Sequence, residues 1–266
     1  MQPSSFVPVV SQAARRRGLG MLLACVLSST AQAELVTLTG ADFDLTYDTT
    51  KLGLFGAPSL AGNSIFFTFS GFAAESLNGQ GAVTRNSTIS GLVLSARNGF
   101  QFGELVLVEL GDYKLSGNGS RVDVQGRLRA FDMAAPLTTQ TVAALGIEPS
   151  SPLDLADGLL HEWSAAARID GSTPVQPVPS IFGATTNVIH ARPQAVGVSI
   201  ENQLTAYTDG PSIDLQQAFI EKKFAGVQML VAPVPLPSTA ALAGVGLLAG
   251  LCLWGRRRPQ CGKATV

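Results

Sequence analysis

The sequence predicts an all-β protein: an antiparallel β-sandwich or jelly-roll-like exported domain, with an N-terminal signal peptide and a single C-terminal transmembrane helix. Three observations predict it. Apolar residues between positions 34 and 232 recur mostly at every second place, the period of a strand with one buried face. Clusters of Gly, Asn, Asp and Ser punctuate those runs. Both ends of the chain carry uncharged runs bounded by arginines, and the body between them does not.

The N-terminal end is an address. Arg15, Arg16 and Arg17 precede the uncharged residues 18–27, and Ala31-Gln32-Ala33 follows. A basic region, a short apolar core and a small-x-small site make a secretory signal peptide over 1–33, cut after Ala33 with Ala31 as the other small residue. Such a short run extends about 15 Å as a helix, half of a roughly 30 Å hydrocarbon core, so it is too short for an anchor.

The body, residues 34–232, has the length of one domain. Phe43, Leu45 and Tyr47 alternate with Asp42, Asp44, Thr46 and Asp48. Residues 65–69, 89–94, 105–110, 122–131, 163–169, 196–208 and 224–231 also read as strands. Segments 77–81, 97–99 and 116–119 read as turns, because Asn-Gly pairs accept positive φ. Between 133 and 160 the pattern changes. Residues 138–145 and 151–156, with Pro152 placed for a first helical turn, are expected to form short helices in a crossover. Residues 172–180, holding Pro174, Pro177 and Pro179, are expected to form an exposed loop. The three cysteines, Cys25, Cys252 and Cys261, lie outside the body, which therefore has no disulfide, thiol nucleophile or thiolate metal site.

Charge is unevenly spread. All 19 Asp and Glu fall within the body, residues 34–232, against 11 of the 18 Lys and Arg, so the body is net −8. That field argues against nucleic acid as a partner.

At the C-terminal end, Val234-Pro235-Leu236-Pro237-Ser238 leads into the uncharged residues 240–255 and then Arg256, Arg257 and Arg258. As a helix this run extends about 25 Å, the short limit for spanning a membrane. The arginines then mark the cytoplasmic side and place the body outside. The expected organisation is a signal peptide at 1–33, the exported domain at 34–232, a sorting signal with a transmembrane helix at 233–258, and a short cytoplasmic tail at 259–266.

Pro-x-Pro-Ser, a Gly/Ala/Leu-rich helix and a terminal Arg cluster together resemble the PEP-CTERM sorting signal of Gram-negative bacteria. The resemblance covers residues 234–258. It departs from the commonest form at Leu236, where Glu is usual, and in the extra tail after the arginines; both bear on cleavage rather than topology. The resemblance implies an exosortase, a membrane protease-transpeptidase, as a partner beside the secretion machinery. It also implies a place in exopolysaccharide, biofilm or floc. Glu201-Asn202-Gln203-Leu204 and residues 218–224 are more weakly similar to segments that precede such signals, with no chemistry attached.

Candidate chemistry in the body is sparse. Asp42, Asp44 and Asp48, with Thr46, are a candidate Ca²⁺ site. The competing reading is a solvated face, because a strand separates alternate side chains by about 6.5–7 Å. His161-Glu162 is half of a HExxH pattern, but Ala165 stands where the second His belongs. His190 is the other histidine, too few for a three-His zinc centre. There is no G-x-S-x-G elbow, and nineteen acids do not single out a glycosidase pair. No catalytic residue is assigned, no cofactor beyond possible Ca²⁺ is implied, and the chain is not expected to be an enzyme. Trp163, Tyr47, Tyr113 and Tyr207 are the aromatics available to stack on sugar rings, most of them expected in the core. Glu221-Lys222-Lys223 reads as a solvated charge run. The expectation is a structural or interaction protein of the cell surface or extracellular matrix. The alternatives are a glycan-binding module retaining exopolysaccharide and, less favoured, a surface hydrolase.

Overall fold

The computed structural model describes residues 34–148, 152–175, 186–210 and 215–233. The signal-peptide residues Ala31 and Ala33, the sorting motif from Val234 to Ser238, the apolar run and Arg256–Arg258 lie outside the described residues.

Strands β1 (Leu35–Thr39) and β2 (Phe43–Asp48) lead into two single 3₁₀ turns, Thr49–Lys51 and Gly53–Phe55. Three short strands follow: β3 (Pro58–Ala61), β4 (Ser64–Phe67) and β5 (Ala73–Leu77). Then come the long strands β6 (Gly81–Ala96), β7 (Phe100–Ser116) and β8 (Arg121–Asp132), and the brief β9 (Thr141–Ala144) and β10 (Gly146–Ile147). Strands β11 (Asp157–Ile169), β12 (Ala195–Thr208) and β13 (Gln217–Pro233) complete the domain.

These strands form two antiparallel sheets. One has the order β1-β2-β6-β12-β8-β9; the other has β10-β11-β7-β13-β4-β3, with β5 also paired to β13. The consecutive strands β6, β7 and β8 alternate between the sheets, as do β11, β12 and β13, whereas β1–β2, β3–β4, β8–β9 and β10–β11 pair within one sheet. The β5–β6 reversal shows the turn chemistry. Asn78 and Gly79 both take positive φ, 45° and 79°, and the Gln80 N–H donates to the Leu77 carbonyl at 3.0 Å.

Inward residues of both sheets build two apolar clusters. The first holds Phe43, Leu45, Phe55, Ile65, Phe102, Leu105 and Leu107 among others. The second holds Phe72, Tyr113, Leu115, Trp163, Leu204 and Ile220. Period two is the physical reason: Leu105, Leu107, Tyr113 and Leu115 are buried on β7, whereas Val106, Val108 and Leu110 are not.

Seven of the eight strand segments read from the sequence fall wholly on strands, and most of those strands extend further; the eighth, 65–69, leaves its strand after Phe67. The expected helices are corrected. Residues 138–145 contain β9, an edge strand beside β8, and 152–156 form no helix. The cause is local. The Thr139 hydroxyl accepts from the Asp132 N–H at 2.9 Å, and the buried Thr141 hydroxyl accepts from the Val188 N–H at 2.9 Å. β-branched residues fixed in this way suit an edge strand better than a helical turn. Of the expected loop at 172–180, residues 172–173 form a turn whose Ser172 and Thr173 N–H groups donate to the Asp170 carboxylate, and 176–180 lie outside the described residues.

Candidate functional site

The predicted Ca²⁺ residues do not converge. Asp42 accepts from Asn63 Nδ2 at 2.9 Å, and Asp44 pairs with Arg97 at 3.1 Å. Asp48 turns into the 3₁₀ segment, accepting from the Thr50 hydroxyl at 2.6 Å and the Thr50 N–H at 2.9 Å. Those two bonds, helped by Lys51, hold the Asp48 carboxyl below its usual range. Thr46 shares a hydrogen bond with Thr37 across β1 and β2 at 2.9 Å. Among the described residues, no group of three or more His, Cys, Asp or Glu is placed to hold a metal ion. Each Asp has a different partner because the strand sends them apart.

His161 Nε2 lies 2.9 Å from Asp157 Oδ1, and its ring packs 5.5 Å from that of Tyr113. That bond, with the Leu159 N–H, lowers the Asp157 carboxyl. His190 sits in a separate turn beside Gly171. Trp163, Tyr47 and Tyr113 are core residues. The Trp163 indole N–H donates to the Glu221 carbonyl at 3.1 Å, and its ring covers Gly111, where a Cβ would come within 2.7 Å. Tyr207 is half-buried under the Arg121 guanidinium, 3.6 Å from its ring centre.

Two arrangements stand out, and neither was expected from the sequence. The first is a shallow groove of ≈ 410 Å³ on the outer face of the six-stranded sheet. Its rows are set by register: Asn86, Gln203 and Gln125 lie side by side on β6, β12 and β8, and Thr88, Glu201 and Arg127 form the next row. Arg127 and Arg129 both reach the Glu201 carboxylate. The result is a ladder of amides, hydroxyls and one guanidinium–carboxylate cluster.

The second is a polar centre buried between the sheets. The Glu221-Lys222-Lys223 run is split by a β-bulge between Lys222 and Phe224. Lys223 points outward and pairs with Asp112, which raises its pKa. Lys222 points inward, is 3% exposed, and its own N–H donates to the Phe72 carbonyl at 3.0 Å. The reading of Lys222 as solvated is thus corrected. Its Nζ donates to Glu109 Oε2, and Asn202 Nδ2, from the opposite sheet, donates to Glu109 Oε1 at 2.6 Å. The rings of Phe55, Phe69 and Phe72 surround Nζ, with centres at 5.8, 5.6 and 5.1 Å. Small neighbours make the room. Ala165 and Ala225 flank Glu109 in its sheet, Gly111 pairs with Lys222, and a Cβ on Gly126 would come within 2.4 Å of Asn202 Oδ1. Burial pushes the Glu109 carboxyl up, against the pull of Lys222, and lowers Lys222 to about 8. Asn202 Oδ1 is buried with no hydrogen-bond partner among the described residues.

Fold and sites define a two-sheet antiparallel β-sandwich with a polar outer face and an ionisable Glu–Lys pair in its core. No family model matches the chain, and no curated protein matches it. Among solved structures, the chain is similar to a chain of infectious bursal disease virus, Gt strain, at 8% identity and TM-score 0.22, covering 80% of this chain and 60% of that one. The Gx strain of the same virus gives 8% identity and TM-score 0.16, over 77% and 57%. This chain therefore spans about 60% of the length of the viral chains it matches.

Proposed function

We propose that the protein is an exported, exosortase-sorted surface or extracellular-matrix protein of a Gram-negative bacterium, with a structural or interaction role in exopolysaccharide, biofilm or floc. The observation that carries this reading is the pair of ends: Arg15–Ala33 as a signal peptide, and Val234–Arg258 as a PEP-CTERM-like signal with a membrane helix. The body supports it by its suitability for export. It is a cysteine-free sandwich stabilised by packing, net −8 and covered by hydrogen-bonding side chains on one outer face. The test is the C-terminal peptide mass of the protein from surface and membrane fractions of its host. A new terminus near Pro235–Ser238 on the surface species is expected. A tail intact to Val266 and confined to membranes would overturn the sorting step.

The groove favours a second reading, a glycan-binding module that retains exopolysaccharide. Amides and an Arg–Glu cluster suit sugar hydroxyls, and Tyr207 supplies a half-buried ring further along β12. Trp163 does not serve, since it is part of the core. Under this reading, Arg127→Ala with Gln203→Ala weakens retardation of the protein by host polysaccharide about thirtyfold or more, the cost of one charged and one neutral hydrogen bond. Unchanged migration of both forms on that polysaccharide would remove it.

A further inference from the structure

We infer that Lys222, Asn202 and Glu109 form a self-modifying site that joins the Lys222 and Asn202 side chains through an amide bond, covalently stapling the two sheets. The geometry brings an amine, a carboxamide and one carboxyl group together. Glu109 holds Lys222 Nζ on Oε2 and Asn202 Nδ2 on Oε1, so its two oxygens touch the nucleophile and the leaving group of the reaction. The groups come from β13, β12 and β7, and folding alone assembles them.

The chemistry balances without any co-reactant. Nζ gives one proton to Glu109 and becomes a neutral amine. Its lone pair attacks Asn202 Cγ, and the carbonyl electrons move onto Oδ1. A second Nζ proton passes to Glu109 as the carboxyl delivers its own to Nδ2. The Cγ–Nδ2 bond then breaks, the carbonyl re-forms, and ammonia leaves. One N–C bond is made and one is broken, nothing is oxidised or reduced, and Glu109 ends protonated.

Surroundings that are costly for an ion pair favour this reaction. Three phenyl rings and the apolar clusters exclude water, which disfavours both charges, and the lowered amine and raised carboxyl follow from it. The product removes two buried charges. It also leaves a protonated Glu109 beside a new amide carbonyl to which it can donate, so the orphaned oxygen of Asn202 gains a partner. The aliphatic part of the inward-facing Lys222 stays where it packs.

Peptide mapping of the purified, folded full chain tests the assignment. The expected result is a branched peptide joining the segments around Asn202 and Lys222, about 17 Da lighter than its two parts by the loss of one ammonia, with trypsin no longer cutting after Lys222. Glu109→Gln and Lys222→Arg are each expected to abolish the branch. Asn202→Asp is expected to restore it in part, with water lost in place of ammonia. An unbranched Lys222 peptide from folded wild-type protein overturns the inference. So does a deficit mapped to the Asn-Gly pairs at Asn78, Asn98 or Asn118, where succinimide formation loses the same mass, or a branch that survives in folded Glu109→Gln.

Discussion

Measured against an unlinked chain, Glu109→Leu is expected to lower the unfolding free energy by about 3–5 kcal/mol, the range for removing one partner of a buried ion pair. The variant leaves the Lys222 amine among three phenyl rings, with no acceptor for its protons from β7. Lys222→Met is expected to cost less. The carboxyl it leaves behind already has a raised pKa and can stay neutral while bonded to Asn202. Glu109→Leu with Lys222→Met removes both charges, and apolar replacement of a buried pair is often neutral. Measured against linked wild type, all three variants also lose the proposed staple, which adds to each of these costs. Asn202 and Lys222 are about twenty positions apart, and closing a loop of that size restricts the unfolded chain by roughly 3 kcal/mol. The double variant is therefore expected to remain roughly 3 kcal/mol below wild type. Urea unfolding followed by the fluorescence of the buried Trp163 reads all three. Glu109→Leu as stable as wild type would refute the account of the pair.

The pH dependence separates the linked from the unlinked state. In Asn202→Ala the amine of Lys222 stays free, with a folded pKa of about 8 against 10.5 for the ordinary group. Between those values the unfolded chain holds a proton that the folded chain has released, so stability rises with pH across that window. A Lys222 nitrogen in an amide does not titrate, and wild type is expected to lack this rise.

The period-two pattern identified the long strands, because each has one apolar face packed against the other sheet. It understated β6, whose first residues, Gly81–Asn86, include none that is buried and are held as a strand by pairing with β12. It mistook β9 because a four-residue edge strand has too few residues to display a period, and its partner β8 decides the outcome. The polar centre was legible in a signal that was not used. Glu109 follows Leu105 and Leu107 at alternate positions, Lys222 follows Ala218 and Ile220, and Asn202 stands between Ile200 and Leu204. Each is a polar residue in the apolar phase of its strand. What the sequence did not show is the bulge after Lys222, or that strands distant in sequence bring the three groups together. The groove was hidden for a related reason. Its amides and hydroxyls occupy ordinary solvent-facing positions, and only the register of β6, β12 and β8 aligns them.

Phe55→Ala is expected to cost about 3–5 kcal/mol, the usual range for deleting a large core aromatic. Its ring is fully buried although it is carried by a 3₁₀ turn rather than a strand. That turn is fixed by the Leu54 N–H donating to Ser87 Oγ at 2.8 Å, and by the Phe55 N–H donating to the Leu52 carbonyl at 3.1 Å. The ring meets Phe67 at 5.5 Å, Phe69 at 5.2 Å and Phe72 at 6.3 Å, edge-on or tilted, so it joins residues of both apolar clusters. Phe55→Leu keeps most of that volume and is expected to cost less than half as much. The two substitutions also differ at the polar centre. Alanine opens a void bordered by Lys222, and a void with polar partners admits water, where a purely apolar one stays dry. Water there rehydrates the ammonium and returns its pKa toward 10.5, leaving less free amine to attack Asn202. Folded Phe55→Ala is therefore expected to accumulate the unbranched Lys222 peptide while Phe55→Leu forms the branch. If both variants form it as fully as wild type, Phe55 fills the core without sealing the site, and exclusion of water must rest on Phe69 and Phe72.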